Sequence, residues 1–332
     1  MLVTGATGFT GSVLVRKLAQ AGVRVRAICR STSRTEALDN LGIEWFRGNV
    51  FDEAVVREAA KDVEYVFHVA ASYREAKYAD DYYRRVHVES TQLLARAVVA
   101  NHGFKRFVHV STVGVHGHIE HPPADENYPF GPGDVYQKTK AEAELWIRDF
   151  ASTNRLPLTV IRPAGIFGPG DRRLLKIFQM AASPIFPLLG HGKCLYHLIH
   201  VEDLTNAILL AATHPAALGE VIIVGNAEPI PLEQAARIIA AELGTHPRIV
   251  RVPVWPFFVA GAVCEALCKP FGIEPPIYRR RVAFFTKDRA FDTRKLRERL
   301  GYSYVYTNET GLRQTARWYA DQGWIKAKSR PR

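Results

Sequence analysis

Apolar and polar positions change rhythm repeatedly along the chain, and each change marks an element. Leu2–Val3 is an apolar stub that runs straight into a glycine-rich stretch, Thr4–Gly11. In Ser12–Gln20 the apolar residues Val13, Leu14 and Leu18 fall at helical spacing. Val23–Cys29 alternates and reads as a strand, Ile43–Phe46 as a second, and Asp52 stands where the cap of a short helix belongs. Val63–Ala70 has the length and content of a buried strand. A long helical pattern over about Asp80–Ala100 leads to a strand at Phe107–Val110, a helix at Asp134–Phe150 and a strand at Leu158–Ile161. Strands alternating with helices predict an α/β fold with a doubly wound parallel sheet and helices on both faces.

After Pro163 the rhythm breaks. Proline and glycine crowd Gly165–Gly192, and helical patterns at Leu204–Ala212 and Leu232–Leu243 flank a strand at Val221–Val224. The expected division is a sheet domain over residues 1–163, completed by segments at about 195–225, with residues 164–332 forming mostly a smaller C-terminal lobe. Neither repeats nor low-complexity tracts occur, and Lys326–Arg332 reads as a frayed basic end.

Composition narrows the class. Of 332 residues, 47% are hydrophobic and 23% charged, which fits a folded chain rather than a disordered one. Lys and Arg number 44 against 33 acids, a net charge of +11. The arginines, at Arg24–Arg34, Arg172-Arg173, Arg279–Arg281 and Arg294–Arg299, are interleaved with acids or spread between elements. No helix carries a basic stripe, so no nucleic-acid partner is expected, and an anionic small molecule stays open. Cys29, Cys194, Cys264 and Cys268 form no CxxC pair or zinc spacing, so no metal site is expected. Cys264 and Cys268, a helical turn apart in apolar sequence, are expected to be buried thiols. This usage and the absence of a signal-peptide pattern suit a cytoplasmic protein. Val252–Gly272 is the most membrane-like segment. Pro253, Pro256, Glu265 and Lys269 interrupt it, and its apolar run is too short to span a bilayer. It reads as a core helix of the smaller lobe, as a pocket wall, or as a peripheral contact with a membrane surface.

The candidate chemistry lies at strand ends. Thr4-Gly5-Ala6-Thr7-Gly8-Phe9-Thr10-Gly11 joins a strand to a helix. Glycines there permit a tight turn and let the backbone approach a pyrophosphate, and the helix offers free N–H groups and its positive dipole end. This is the phosphate loop of a Rossmann domain, with Thr4, Gly5, Thr7, Gly8, Phe9 and Gly11 as cofactor-binding candidates. Where an acid would hold the ribose hydroxyls of NAD, the second strand ends in Cys29-Arg30-Ser31. A guanidinium suits a 2′-phosphate, so Arg30 favours NADP over NAD. Tyr136 and Lys140 share one helix face. A tyrosine hydroxyl, ordinarily titrating near about 10, is a poor base at neutral pH, and a neighbouring ammonium favours its phenolate. Upstream, Ser111 and Thr112 end a strand where ligands of open α/β sheets sit, and either hydroxyl could bond a reacting oxygen.

Gly-x-x-Gly-x-x-Gly opening on Thr-Gly, Tyr-x-x-x-Lys, Val113-Gly114-Val115-His116-Gly117, Arg162-Pro163 through Gly168-Pro169-Gly170-Asp171, and His200-Val201-Glu202-Asp203-Leu204 together resemble the extended short-chain dehydrogenase/reductase family along nearly the whole chain. The resemblance implies a catalytic Thr112, with Ser111 as fallback, beside Tyr136 and Lys140. It places Asn49, Val50, Val69, Ala70, Ala71 and Pro163 against the cofactor, and Gly165, Arg172 and Arg281 toward the substrate. It also implies a homodimer through the helices Asp80–Ala100 and Asp134–Phe150. The family's Asn-Val-x-Gly-Thr stretch here reads His87-Val88-Glu89-Ser90-Thr91. An Asn-based proton relay is therefore in question, with His87 either its substitute or a packed helix residue. The implied reaction is NAD(P)-dependent hydride transfer at a ketone or secondary alcohol. Gly165 and the apolar Val252–Gly272 favour a steroid-like or ketone substrate, whereas the arginines leave a nucleotide-sugar epimerase or dehydratase as the alternative. A non-catalytic NADP-binding protein would ordinarily lack part of the Thr112-Tyr136-Lys140 set.

Overall fold

The computed structural model describes residues 1–72, 79–268 and 288–325. Six strands of the first half, β1 (Leu2–Thr4), β2 (Arg26–Cys29), β3 (Glu44–Arg47), β4 (Tyr65–His68), β5 (Arg106–Val110) and β6 (Leu158–Pro163), are joined by Val221–Val224 in one seven-stranded parallel sheet. From one edge the order is Val221–Val224, β6, β5, β4, β1, β2, β3. The strand order reverses between β1 and β4, and such a switch point opens a crevice at the carboxyl ends of the strands. Side-chain alternation sorts the sheet's faces. Leu2, Ile28, Val66, Phe107, Leu158 and Val160 pack beneath α2 (Glu53–Ala59) and the helical layer of the long helix and α5 (Val135–Asn154). Val3, Ala27, Phe67, Val108 and Ile161 pack on the other face against α1 (Phe9–Gln20) and α7 (Val201–Thr213).

The short start is a full strand. Leu2, Val3 and Thr4 are wholly buried and pair on both sides, with β2 and with β4. Because β1 has only three residues, β2 is paired from Arg26 rather than from Val23. α1 begins three residues earlier than its apolar pattern, inside the glycine loop. The long helix is not uniform: α3 (Asp80–Arg84) passes through a π-helical turn at Arg85–Glu89 into α4 (Ser90–Val98). Such widened turns recur at functional sites.

The lobe has its own core, built from α6 (Leu175–Ala181), α8 (Leu232–Glu242), the strand Ile185–Leu189 and the C-terminal helix Asn308–Asp321, with Phe178, Phe186, Ile239 and Tyr319 buried at its centre. α9 (Trp255–Cys268) decides against one of the three readings of this segment and corrects one expectation. Of its residues only Gly261 is buried, so it is not a core helix, and Cys264 and Cys268 are half-buried rather than buried. An apolar run records a preference for leaving water and does not say which surface takes it. No described helix is long and apolar enough to cross a membrane. Arg279–Arg281, including the substrate candidate Arg281, and Lys326–Arg332 lie outside the described residues.

Candidate active site

The crevice at the switch point is a cleft of about 610 Å³. Its phosphate end is built by glycine. Gly5, at φ +73°, lies so close to the segment that follows β4 that a Cβ would sit 2.9 Å from Ala70 Cα, and a Cβ on Gly11 would lie 2.0 Å from the Gly5 carbonyl oxygen. Only bare backbone allows the loop to fold this tightly. Gly8 caps α1 without a side-chain bond and the first turn holds no acid, which leaves the positive helix end for a ligand anion. The glycine cradle and uncapped helix therefore fit a dinucleotide pyrophosphate.

At the other end stand the reacting groups. Asp134 accepts from the Gln137 N–H at 2.7 Å and so starts α5, placing Tyr136 in its first turn. Thr112 Oγ1 accepts from the Gly114 N–H at 3.0 Å, which leaves the hydroxyl proton to donate into the cleft. Ser111 Oγ is sealed from solvent, so Thr112 supplies the accessible hydroxyl of the pair. Lys140, 1% exposed, donates to the Val110 carbonyl at 2.6 Å. Burial lowers its pKa to about 8, against the opposing pull of Glu144 one turn on. Glu144 is itself clamped by the buried Arg162, whose Nε lies 3.1 Å from both carboxylate oxygens.

Behind Lys140 lie three buried histidines. His68 on β4 and His109 on β5 are register partners with ring centroids 5.6 Å apart, and His87 sits in the π-helical turn. Burial, then the Lys140 charge, holds all three neutral: His68 is lowered to about 3, and His87 and His109 fall well below the ordinary value. Hydrogen bonding assigns the His87 tautomer. Its Nε2 accepts from the Ser72 N–H at 3.0 Å, so Nδ1 carries the proton toward Thr139 Oγ1 at 2.8 Å. That hydroxyl donates to the Val135 carbonyl. His87 thus ties the cleft segment Ala71-Ser72 to α5, with its ring edge-on to Tyr136 at 5.4 Å. With both nitrogens engaged, it is a positioning residue and not a spare base.

Gly5, Thr7, Gly8, Phe9, Gly11, Arg30, Asn49, Val50, Val69, Ala70, Ala71, Ser111, Thr112, Tyr136, Lys140, Pro163 and Gly165 all line this one cleft. Two expected residues do not. Thr4 is wholly buried behind the wall, where its hydroxyl meets His68 Nδ1 at 2.8 Å and accepts from the Ala70 N–H. A threonine ending a three-residue strand between two neighbours has no open side. Arg172 stacks on Trp324 at 5.0 Å beside the outer edge of the glycine loop, and its neighbour Arg173 faces the cleft instead. Arg173 lies over the Phe9 ring, pairs with Asp171 at 2.7 Å and donates to the Ile166 carbonyl, linking loop and lobe. Arg289 also lines the cleft and escaped sequence reasoning, since nothing local marks it. No carboxylate is among the described lining residues, and the cations there are Arg30, Lys140, Arg173 and Arg289.

A doubly wound sheet, a pyrophosphate cradle at its switch point and a hydroxyl–phenol–ammonium set in the same cleft define a nicotinamide-dependent enzyme of the extended short-chain dehydrogenase/reductase type. Residues 1–225 match the NAD dependent epimerase/dehydratase family, and the chain belongs to it. It is 30% identical to the 2-alkyl-3-oxoalkanoate reductase of Stenotrophomonas maltophilia, over 95% of this chain and 97% of that protein. It is 28% identical to the 3 beta-hydroxysteroid dehydrogenase/Delta 5-->4-isomerase of Mycobacterium tuberculosis, over 96% of this chain and 90% of that one. Among solved structures, gox2253 superposes with a TM-score of 0.83 at 28% identity, covering 98% of this chain and 99% of that one. The UDP-glucose 4-epimerase of Thermotoga maritima shares the fold, with a TM-score of 0.76 at 23% identity over 97% and 98% of the two chains.

Proposed function

We propose that the chain is an NADP-dependent oxidoreductase that interconverts a ketone and a secondary alcohol on a largely apolar substrate. The carrying observation is the lining of the cleft that holds Thr112, Tyr136 and Lys140, to which Val86, Val113, Ala164 and Ile166 also contribute and no described residue brings a carboxylate. The full-length likeness to an oxoalkanoate reductase and a hydroxysteroid dehydrogenase supports the same reading. Tyr136 exchanges its phenolic proton with the substrate oxygen, and Thr112 donates a hydrogen bond that orients and polarises that oxygen. The Lys140 ammonium, four residues along the same helix, stabilises negative charge on Tyr136, and the ribose hydroxyls of the bound cofactor are assigned to it as well. The nicotinamide, when bound, supplies or accepts the hydride. Arg30, at the end of β2 and lining the cleft, supports NADP over NAD through a charge-assisted grip on a 2′-phosphate. Gly165, on the lobe side, is assigned to the substrate.

Arg173 and Arg289 favour a second reading, a nucleotide-sugar epimerase or dehydratase, because guanidinium groups in this cleft could clamp a diphosphate. Denaturing the purified protein and analysing what it releases separates the two. An empty protein that consumes NADPH with 3-oxo acids or oxosteroids supports the reductase. A retained cofactor together with turnover of a UDP- or dTDP-sugar overturns it. We assign the active form to a homodimer through the face of α4 and α5, where Leu145 is 50% exposed, and the unpaired thiols support a cytoplasmic location.

A further inference from the structure

We propose that α9 is a docking surface for an anionic lipid membrane, lying flat in the headgroup region with one apolar stripe inserted. The helix contains a single charged residue, Glu265, yet buries only Gly261. Trp255, Val259, Val263 and Leu267 follow one another at four-residue steps and are 70%, 54%, 51% and 64% exposed. Residues four apart share a helix face, so the four side chains form one continuous strip along the outside of the lobe. Soluble chains scatter their exposed apolar residues, and a contiguous strip marks a surface that is covered in use.

The surroundings select the cover. α9 follows directly on the strand Arg248–Val252, which pairs with Ile185–Leu189. That edge adds exposed Ile185 and Val250 to the apolar surface. It also carries exposed Arg248 and Arg251. The loop Gly190–Lys193 closes onto the same edge, with the Gly190 N–H donating to the Val252 carbonyl at 2.9 Å, and it adds exposed Lys193. Among the described residues, the acids on these elements and against them are Glu233, paired with Arg251 at 2.9 Å and with Arg237, and Glu265 on the helix. A tryptophan at the start of an apolar strip, with exposed Arg248, Arg251 and Lys193 on the strand and loop that lead into the helix and a net charge of +11, suits an interfacial helix on anionic lipid. A second copy of the chain fits less well. A strip one side chain wide falls short of the ~800 Å² that each partner gives to a stable dimer, and the basic rims of two copies would face each other.

The test is flotation of the full-length protein with phosphatidylcholine vesicles and with mixed phosphatidylcholine–phosphatidylglycerol vesicles. The wild type should float with the mixed vesicles and much less with the neutral ones. The double variant Val259→Asn/Val263→Asn and the rim variant Arg248→Gln/Lys193→Gln should each lower binding at least about tenfold, while turnover of a water-soluble substrate stays unchanged. Lipids brominated in the acyl chain should quench tryptophan emission in the wild type and not in Trp255→Phe, which places the side chain among the chains. Undiminished binding by the double asparagine variant would reduce the contact to unspecific charge and overturn the proposal. Absence of vesicle binding overturns it as well. So does a fall from dimer to monomer caused by the asparagine pair, since a second copy would then be the cover.

Discussion

Replacing Lys140 with Met should make the protein more stable at neutral pH while nearly abolishing turnover. Lys140 is 1% exposed, and burial lowers its pKa from 10.5 to about 8. That drop corresponds to about 3 kcal/mol of unfavourable free energy in the charged folded state. Methionine fills similar volume without charge, but it leaves the Val110 carbonyl without the 2.6 Å bond it accepts, a loss of about 1 kcal/mol. The net gain is about 2 kcal/mol at pH 7, read as a rise of a few degrees in Tm. The sign follows from proton counting. Between about 8 and 10.5 the unfolded lysine holds a proton that the folded one has released, so wild-type stability climbs with pH across this window and the advantage of the variant disappears above it. Activity moves the other way. The wild-type kcat/KM should fall above about pH 8 as the ammonium is lost, and Lys140→Met should lower kcat at least about 100-fold at pH 7. Calorimetry at pH 7 and pH 10, paired with a rate profile, reads all of this. A variant less stable than wild type at both pH values would refute the claim that burying the Lys140 charge is a net cost to the fold.

Substitutions at three further positions probe separate parts of the cleft. Gly11→Ala puts a Cβ 2.0 Å from the Gly5 carbonyl oxygen, so cofactor affinity by fluorescence titration should drop at least about 100-fold with the far-ultraviolet spectrum retained. Arg30→Asp should shift the ratio of kcat/KM values from NADP toward NAD, and an unchanged ratio removes Arg30 from the 2′-phosphate. His87→Ala strands the buried Ser72 N–H and frees the Tyr136 ring edge, so kcat should fall about tenfold, whereas His87→Gln, which can accept from Ser72 and donate to Thr139, should stay within a few-fold. Equal loss in both would mean that the imidazole itself takes part.

The sheet and most of the cleft were legible in the sequence because their signals are local. Glycines three apart between a strand and a helix, and a tyrosine four residues before a lysine, carry their geometry within one turn. What stayed hidden depends on contacts between distant segments. His68 and His109 become neighbours only through the pairing of β4 with β5, and Ser72 meets His87, which lies in the widened turn Arg85–Glu89, across fifteen residues of chain. Adjacent arginines cannot be told apart by composition, so Arg172 was expected where Arg173 stands, and Arg289 reaches the cleft from a segment without any recognisable pattern. The apolarity of α9 was plain, but burial in a core and exposure on a surface give the same run of letters.

The most direct test of the central claim is Tyr136→Phe, assayed for NADPH oxidation with a ketone substrate alongside NADPH binding. The substitution removes one oxygen at the reacting end of the cleft and leaves the glycine cradle, Lys140 and Thr112 in place. Turnover lost by about 100-fold or more with cofactor affinity nearly unchanged is the predicted result. Turnover close to the wild-type rate would show that the proton comes from elsewhere and would contradict the account.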